Sequence, residues 1–218
     1  MCVIITKTKE QKKPSRDFLL NAWNNNPDGA GFMYVKNHKV YIEKGFMNFE
    51  KFYKRVKKLP ENTAIVYHFR IATHGARGVK GTHPFPITNK DTLLQQQSVV
   101  TNIGVAHNGI ISLTSNYTVE NNKFNLSDTQ LYIRDYLYEL AKIPNWYHKK
   151  PILNLIDRSI GSKMTILTAD NEVINIGNFI TVDGYKCSND YFKPRVYNYN
   201  DYGYDYKFTE YKLKLPIK

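Results

Sequence analysis

The sequence predicts an α+β fold in which sheets are covered by helices. Strand-like segments outnumber helical ones along the 218 residues, and the helices come in pairs between groups of strands. Composition agrees: hydrophobic residues make 42% and charged residues 23%, which excludes a disordered, collagen-like or coiled-coil chain. No apolar run approaches the ~20 residues needed to span a bilayer. Residues 1–13 turn basic after a brief apolar stretch and do not read as a secretory signal. A cytoplasmic address, away from membranes, is the expectation.

Each element has its own signal. Residues 3–6 are a short apolar run of β character. Residues 15–26 predict a helix with Phe18, Leu19, Ala22 and Trp23 on one face, closed by the turn Asn26-Pro27-Asp28-Gly29. Strands are expected at 31–35 and 39–43, split by Lys36-Asn37-His38. Residues 48–59 predict a second helix: Phe49, Phe52, Tyr53 and Val56 recur at i, i+3, i+4 and i+7, the other face is mostly basic, and Pro60 ends it. A strand at 63–72 leads into a glycine-containing loop at 75–81. Residues 98–107 predict one strand whose line 109–113 continues, and 116–125 a polar loop.

The second half starts with a helix at 127–142, opened by the capping-box pattern Ser127-x-x-Gln130, with Ile133, Leu137, Leu140 and Ala141 as its apolar face. A shorter helix is expected at 151–160, then a hairpin of 164–168 and 173–176. Eight of the 17 tyrosines lie between residues 185 and 211, which favours a peripheral extension packed on the main body over a binding arm. The expected division is a main domain over 1–180 and a Tyr-rich extension over 181–218.

Charge and cysteine usage bound the function. The balance is 31 Lys+Arg against 19 Asp+Glu, a net charge of +12. That suits acidic partners such as nucleic acid. AT-rich codon usage, which also yields Asn, Ile and Tyr, is the simpler source of the lysines. Two cysteines, Cys2 and Cys187, support neither a disulfide framework nor a thiolate zinc site.

Four segments carry groups able to do chemistry. Removal of Met1 would leave Cys2 with both a thiol and a free α-amine of pKa near ~8, so that one residue supplies nucleophile and base, although many chains carry a cysteine at position 2 without any role. In His68-Phe69-Arg70-Ile71-Ala72-Thr73-His74-Gly75 a strand enters a loop: Arg70 offers a planar fork for a carboxylate, with Thr73 and His74 beside it. A surface arginine with two loop histidines is the plain alternative, and a metal shared with His83 lacks supporting spacing. In Ala106-His107-Asn108-Gly109 a side-chain amide and the next backbone N–H can point at one oxygen, as in an oxyanion hole, although Asn-Gly is also a common hairpin turn. Asp128 opens a helix, where the dipole favours it; capping explains it fully, and holding a substrate ammonium is the second reading.

Taken together these segments resemble class II glutamine amidotransferases, which are N-terminal-nucleophile hydrolases. The resemblance rests on Cys2, Asn26-Pro27-Asp28-Gly29-Ala30-Gly31, the 68–75 segment, Thr82-His83-Pro84-Phe85, His107-Asn108-Gly109 and Ser127-Asp128-Thr129, in that order. It spans roughly residues 1–179, looks most like the small stand-alone branch, and leaves the Tyr-rich tail outside.

The resemblance implies a four-layer αββα sandwich of two antiparallel sheets. Cys2 would attack the side-chain amide of L-glutamine, with its own α-amine as base. Asn108 and the Gly109 N–H would hold the oxyanion. Arg70 would bind the substrate carboxylate, with Thr73 and His74 beside it, and Asp128 the substrate ammonium. Residues 75–81 would close over bound glutamine. Glutamate and ammonia would form through a thioester, without cofactor or metal.

Such domains usually serve an ammonia-consuming domain or subunit, and nothing after about residue 180 is long enough to be one. A separate acceptor enzyme is therefore the expected partner. The basic run Ala76-Arg77-Gly78-Val79-Lys80-Gly81 keeps another γ-glutamyl or small amide open as substrate. A scaffold without turnover that binds nucleic acid or protein is the alternative of a different class.

Overall fold

The computed structural model describes residues 2–71, 78–115 and 122–193. It is an α+β structure with two antiparallel sheets. The first has seven strands in the order β10-β11-β1-β4-β2-β3-β6, and the second four in the order β5-β7-β8-β9. The strands are β1 (Val3–Lys7), β2 (Ala30–Lys36), β3 (Lys39–Phe46), β4 (Ile65–Phe69), β5 (Phe85–Pro86) and β6 (Ser98–Thr101). β7 (Ile103–Asn108), β8 (Lys163–Thr168), β9 (Val173–Ile176), β10 (Ile180–Val182) and β11 (Tyr185–Cys187) follow.

Strand alternation explains the layering. In β1, β2 and β4 one set of side chains (Val3, Ile5, Phe32, Tyr34, Ile65, Tyr67, Phe69) packs against helices α1 (Arg16–Asn25) and α2 (Phe49–Val56). The other set (Ile4, Met33, Val35, Val66) meets Ala106 and Leu167 of the second sheet. Both faces of the first sheet are thus buried here, which is why its strands read as apolar runs rather than clean alternation. The sheets approach closely at Gly104, where an added Cβ would lie 2.5 Å from Met33 Sδ.

The outer face of the second sheet is covered by the later helices: α5 (Asp128–Tyr132), a π-helical turn (Ile133–Leu137), α6 (Tyr138–Leu140) and α7 (Lys150–Ile160). Two short helices precede them, α3 (Asp91–Gln95) and α4 (Ser112–Ser115).

Local signals explain the helix starts. Ser15 caps α1 by accepting from Phe18 N at 3.2 Å, and Asn48 caps α2 by accepting from Lys51 N at 3.1 Å. The capping box at α5 is complete, with Ser127 and Gln130 each serving the other's backbone N–H.

Four expectations change. Residues 98–107 are two strands: the chain breaks at Asn102, β6 pairs with β3 and β7 with β8, so it crosses from one sheet to the other. Thr101 Oγ1 bonds Ile103 at this step, and a period-2 pattern carries no record of which sheet a residue joins. Residues 109–113 do not extend β7; Gly109 turns the chain and α4 follows. The 127–142 helix contains the π-helical turn. Finally, β10 and β11 complete the seven-stranded sheet, and Val182, Cys187 and Phe192 are buried in its core. A boundary at 180/181 therefore falls inside β10, and residues 181–193 belong to the main body. No described helix is long and apolar enough to cross a membrane.

Candidate active site

The antiparallel pairing of β1 with β4 places Val3 opposite Phe69, so Cys2 emerges beside Arg70 and Ile71. By alternation Cys2 and Arg70 lie on the face of the first sheet turned toward the second. The Cys2 thiol lies 3.5 Å from Ile71 O, and Ile71 N–H donates to Cys2 Sγ at 3.4 Å. Burial pushes the Cys2 thiol up, opposed by the Ile71 N–H and the Arg70 charge. A proton acceptor is therefore needed to release the thiolate.

Arg70 is 6% exposed. Its backbone is fixed on both sides: Arg70 N–H donates to Gly29 O at 2.8 Å, and Arg70 O accepts from Asp28 N–H at 2.9 Å. The Asn26-Pro27-Asp28-Gly29 turn thus holds the end of β4 in place. Thr73 and His74 lie outside the described residues, as do residues 75–77 of the loop expected at 75–81; its second half is described and forms a short 3-10 turn at Val79–Gly81.

Asn108 ends β7. Val105 and His107 face the outer helices, whereas Ala106 and Asn108 face the first sheet. The Asn108 amide donates to Ser188 Oγ at 2.8 Å, and the same hydroxyl accepts from Ile4 N–H at 2.9 Å. One serine thus ties Asn108 to β1, the strand that follows Cys2. Its neighbour Asn189 donates to Cys2 O at 2.7 Å. Gly109 sits at φ 146°, and a Cβ there would lie 2.4 Å from Ser162 Cβ, so the position requires glycine on both counts.

Behind Asn108, His107 bridges Thr129 Oγ1 at 2.9 Å and Ser162 Oγ at 2.6 Å. Burial lowers its pKa to about 4, with Asp128 pulling the other way. His68 contacts His107 O at 3.1 Å, and burial lowers it to about 3. His83 stacks on His68 with ring centroids 4.3 Å apart. Among the described residues no group of three His, Cys, Asp or Glu is placed to hold a metal.

Asp128 accepts from Ile111 N–H at 2.7 Å and Thr129 N–H at 2.8 Å. The capping itself is done by Ser127. Asp128 pins the chain just after Gly109, and so connects α5 to the Asn108-Gly109 corner.

Cys2, Arg70, Asn108 and Gly109 thus gather where β1, β4 and β7 meet at one end of the space between the sheets, with Asp128 attached through Ile111. Sequence reading missed Ser188, Asn189 and Ser162. Ser188 and Asn189 sit in a segment read as peripheral, and no local pattern marks a hydroxyl that bridges two distant strands. No protein-family model matches this chain, and no curated protein matches it.

Proposed function

We propose that this chain is a class II glutamine amidotransferase, an N-terminal-nucleophile hydrolase of the small stand-alone type. It converts L-glutamine to glutamate and ammonia and passes the ammonia to a separate acceptor enzyme. The observation that carries the proposal is the convergence of the Cys2 thiol, Arg70 and Asn108 on one end of the inter-sheet space. The packing of α1 and α2 outside one sheet and α5–α7 outside the other supports the αββα sandwich that this reading requires.

The chemistry follows from these groups. Loss of Met1 gives Cys2 a free α-amine, which takes the thiol proton. The sulfur attacks the amide carbon of the substrate side chain, and the carbonyl electrons move onto oxygen. One N–H of the Asn108 amide is spent on Ser188, leaving the second to meet that oxygen together with Gly109 N–H. Collapse expels ammonia, which leaves with the proton held by the α-amine. Water, deprotonated by the same amine, then cleaves the thioester and releases glutamate. Arg70 meets the substrate α-carboxylate and Asp128 its ammonium. A free thiol nucleophile suits a reducing cytoplasm.

Ammonia release from L-glutamine, measured on protein whose intact mass shows Met1 removed, tests the reading. Arg70→Ala and Asp128→Ala should each weaken substrate binding by about 2–5 kcal/mol, the cost of truncating one partner of a buried charge pair. Release from another γ-glutamyl amide but not glutamine would change the substrate. A drop in melting temperature without change in KM would return Asp128 to a purely structural role.

A further inference from the structure

At the end of β1 opposite Cys2 the molecule carries a basic face that the proposed hydrolase chemistry does not use. Helix α2 turns Phe49, Phe52 and Val56 to the core and leaves Lys51, Lys54 and Arg55 exposed at i, i+3 and i+4, with exposed Lys57 at its C-cap and Lys58 in the turn that follows. Beside it, loop 8–13 adds exposed Lys9 and Lys12. This loop is anchored: Lys13 Nζ donates to Lys57 O at 2.9 Å and Leu59 O at 2.8 Å, and Gln11 Nε2 donates to Gly184 O at 2.6 Å. The two basic elements therefore form one fixed surface.

Its carboxylates are spoken for. Glu43 pairs with Arg55, Glu50 with Arg16, Glu61 with Lys13, and Glu10 lies 3.9 Å from Lys9. Lys12, Lys51, Lys54, Lys57 and Lys58 make no ion pair among the described residues. Nor does any exposed large apolar side chain fall within residues 8–13 or 50–62.

We propose that this face binds the phosphate backbone of a nucleic acid. Unpaired ammonium groups from Lys51 to Lys58 run about 10 Å along the helix and the turn that closes it, a span that covers about three phosphates of one strand. A protein interface would need a desolvated aromatic or apolar anchor at its centre, and lysine is depleted there. Repeated solvated lysines without such an anchor fit a polyanion that binds by releasing counterions. No group here reads bases, so the binding is independent of sequence.

Fluorescence anisotropy with a labelled DNA duplex and a labelled RNA strand tests this on the full chain. Affinity should fall steeply between about 50 and 200 mM salt. The triple variant Lys51→Ala/Lys54→Ala/Lys58→Ala should lose up to about three from the slope of log affinity against log salt, about one per phosphate contact. Lys12→Ala/Lys57→Ala is a second variant on the same face and should lower the slope by up to about two. The control Lys149→Ala/Lys150→Ala/Arg158→Ala removes three exposed cations from the outer helices of the second sheet and should keep the wild-type slope. Equal losses in the α2 triple and the control, equal binding of a polyglutamate chain, or no binding to either nucleic acid would each overturn the proposal. Ammonia release should be the same in all these variants, so its failure alone speaks against the hydrolase and not against this face.

Discussion

Strand β1 has a polar group at each end, and the two ends are built differently. At the far end Lys7 is fully buried, and its ammonium donates to Thr8 O at 3.0 Å, Glu61 O at 2.6 Å and Thr63 O at 2.8 Å. All three donors are spent on fixed backbone acceptors. At the near end, among the described residues, the Cys2 thiol hydrogen-bonds with the Ile71 peptide alone, and the Asn108 amide keeps one N–H beyond its bond to Ser188. Saturated polar groups stabilise a fold. Groups that are positioned but left with unused bonding capacity are ready for a substrate.

The largest expected effect that sharpens this contrast is on turnover. Asn108→Ala should lower kcat for glutamine by about 10²–10³-fold, the usual cost of one oxyanion donor, with the melting temperature little changed. Unchanged turnover would leave Asn108 as a structural amide like Lys7. The reciprocal substitution acts on stability. Lys7→Met should cost about 2–3 kcal/mol in denaturant unfolding, because the buried Thr63 carbonyl loses its donor, while kcat stays put. A loss of activity in a folded Lys7→Met protein would erase the distinction between the two ends.

Acid should act through the histidines behind the site. His68 and His107 are held neutral down to about 3 and about 4, below the ordinary value of 6.5. Between those values and 6.5 the unfolded chain binds protons that the folded chain refuses, so stability is complete above 6.5 and falls as pH drops. At pH 5 each group should cost about 2 kcal/mol, seen as a lower melting temperature than at pH 7. A flat profile would mean that these rings protonate in place. The smallest effect is expected for Ser188→Ala, which frees the Asn108 amide: about a tenfold lower kcat at nearly constant KM, in line with one lost hydrogen bond. A change in KM alone would make Ser188 a binding residue instead of a positioning one.

What sequence could show depended on range. Local signals carried α1, α2, the α5 cap and the β8–β9 hairpin, because side chain and partner lie within four residues in the helices and within twelve in the hairpin. The same reading took β6 and β7 as one strand, since alternation records burial but not which sheet is joined. It set 181–193 apart together with the tyrosine-rich residues that follow, although Cys187 pairs with Ile5 across 182 positions. At the site, Cys2, Arg70, Asn108 and Asp128 stood out by residue type and order. Ser188 did not, because its role arises only from contacts at sequence separations of 80 and 184.

Cys2 as the nucleophile is the centre of the proposed chemistry. Treatment with a glutamine-analogue electrophile, followed by intact and peptide mass analysis, tests it most directly. One adduct on Cys2 of protein lacking Met1, protected by excess L-glutamine and absent in Cys2→Ala, is the expected result. Cys187 is buried and pushed up to about 12, so it should stay unlabelled. An adduct on Cys187 with Cys2 untouched, or Cys2 labelling that glutamine does not slow, would contradict the mechanism.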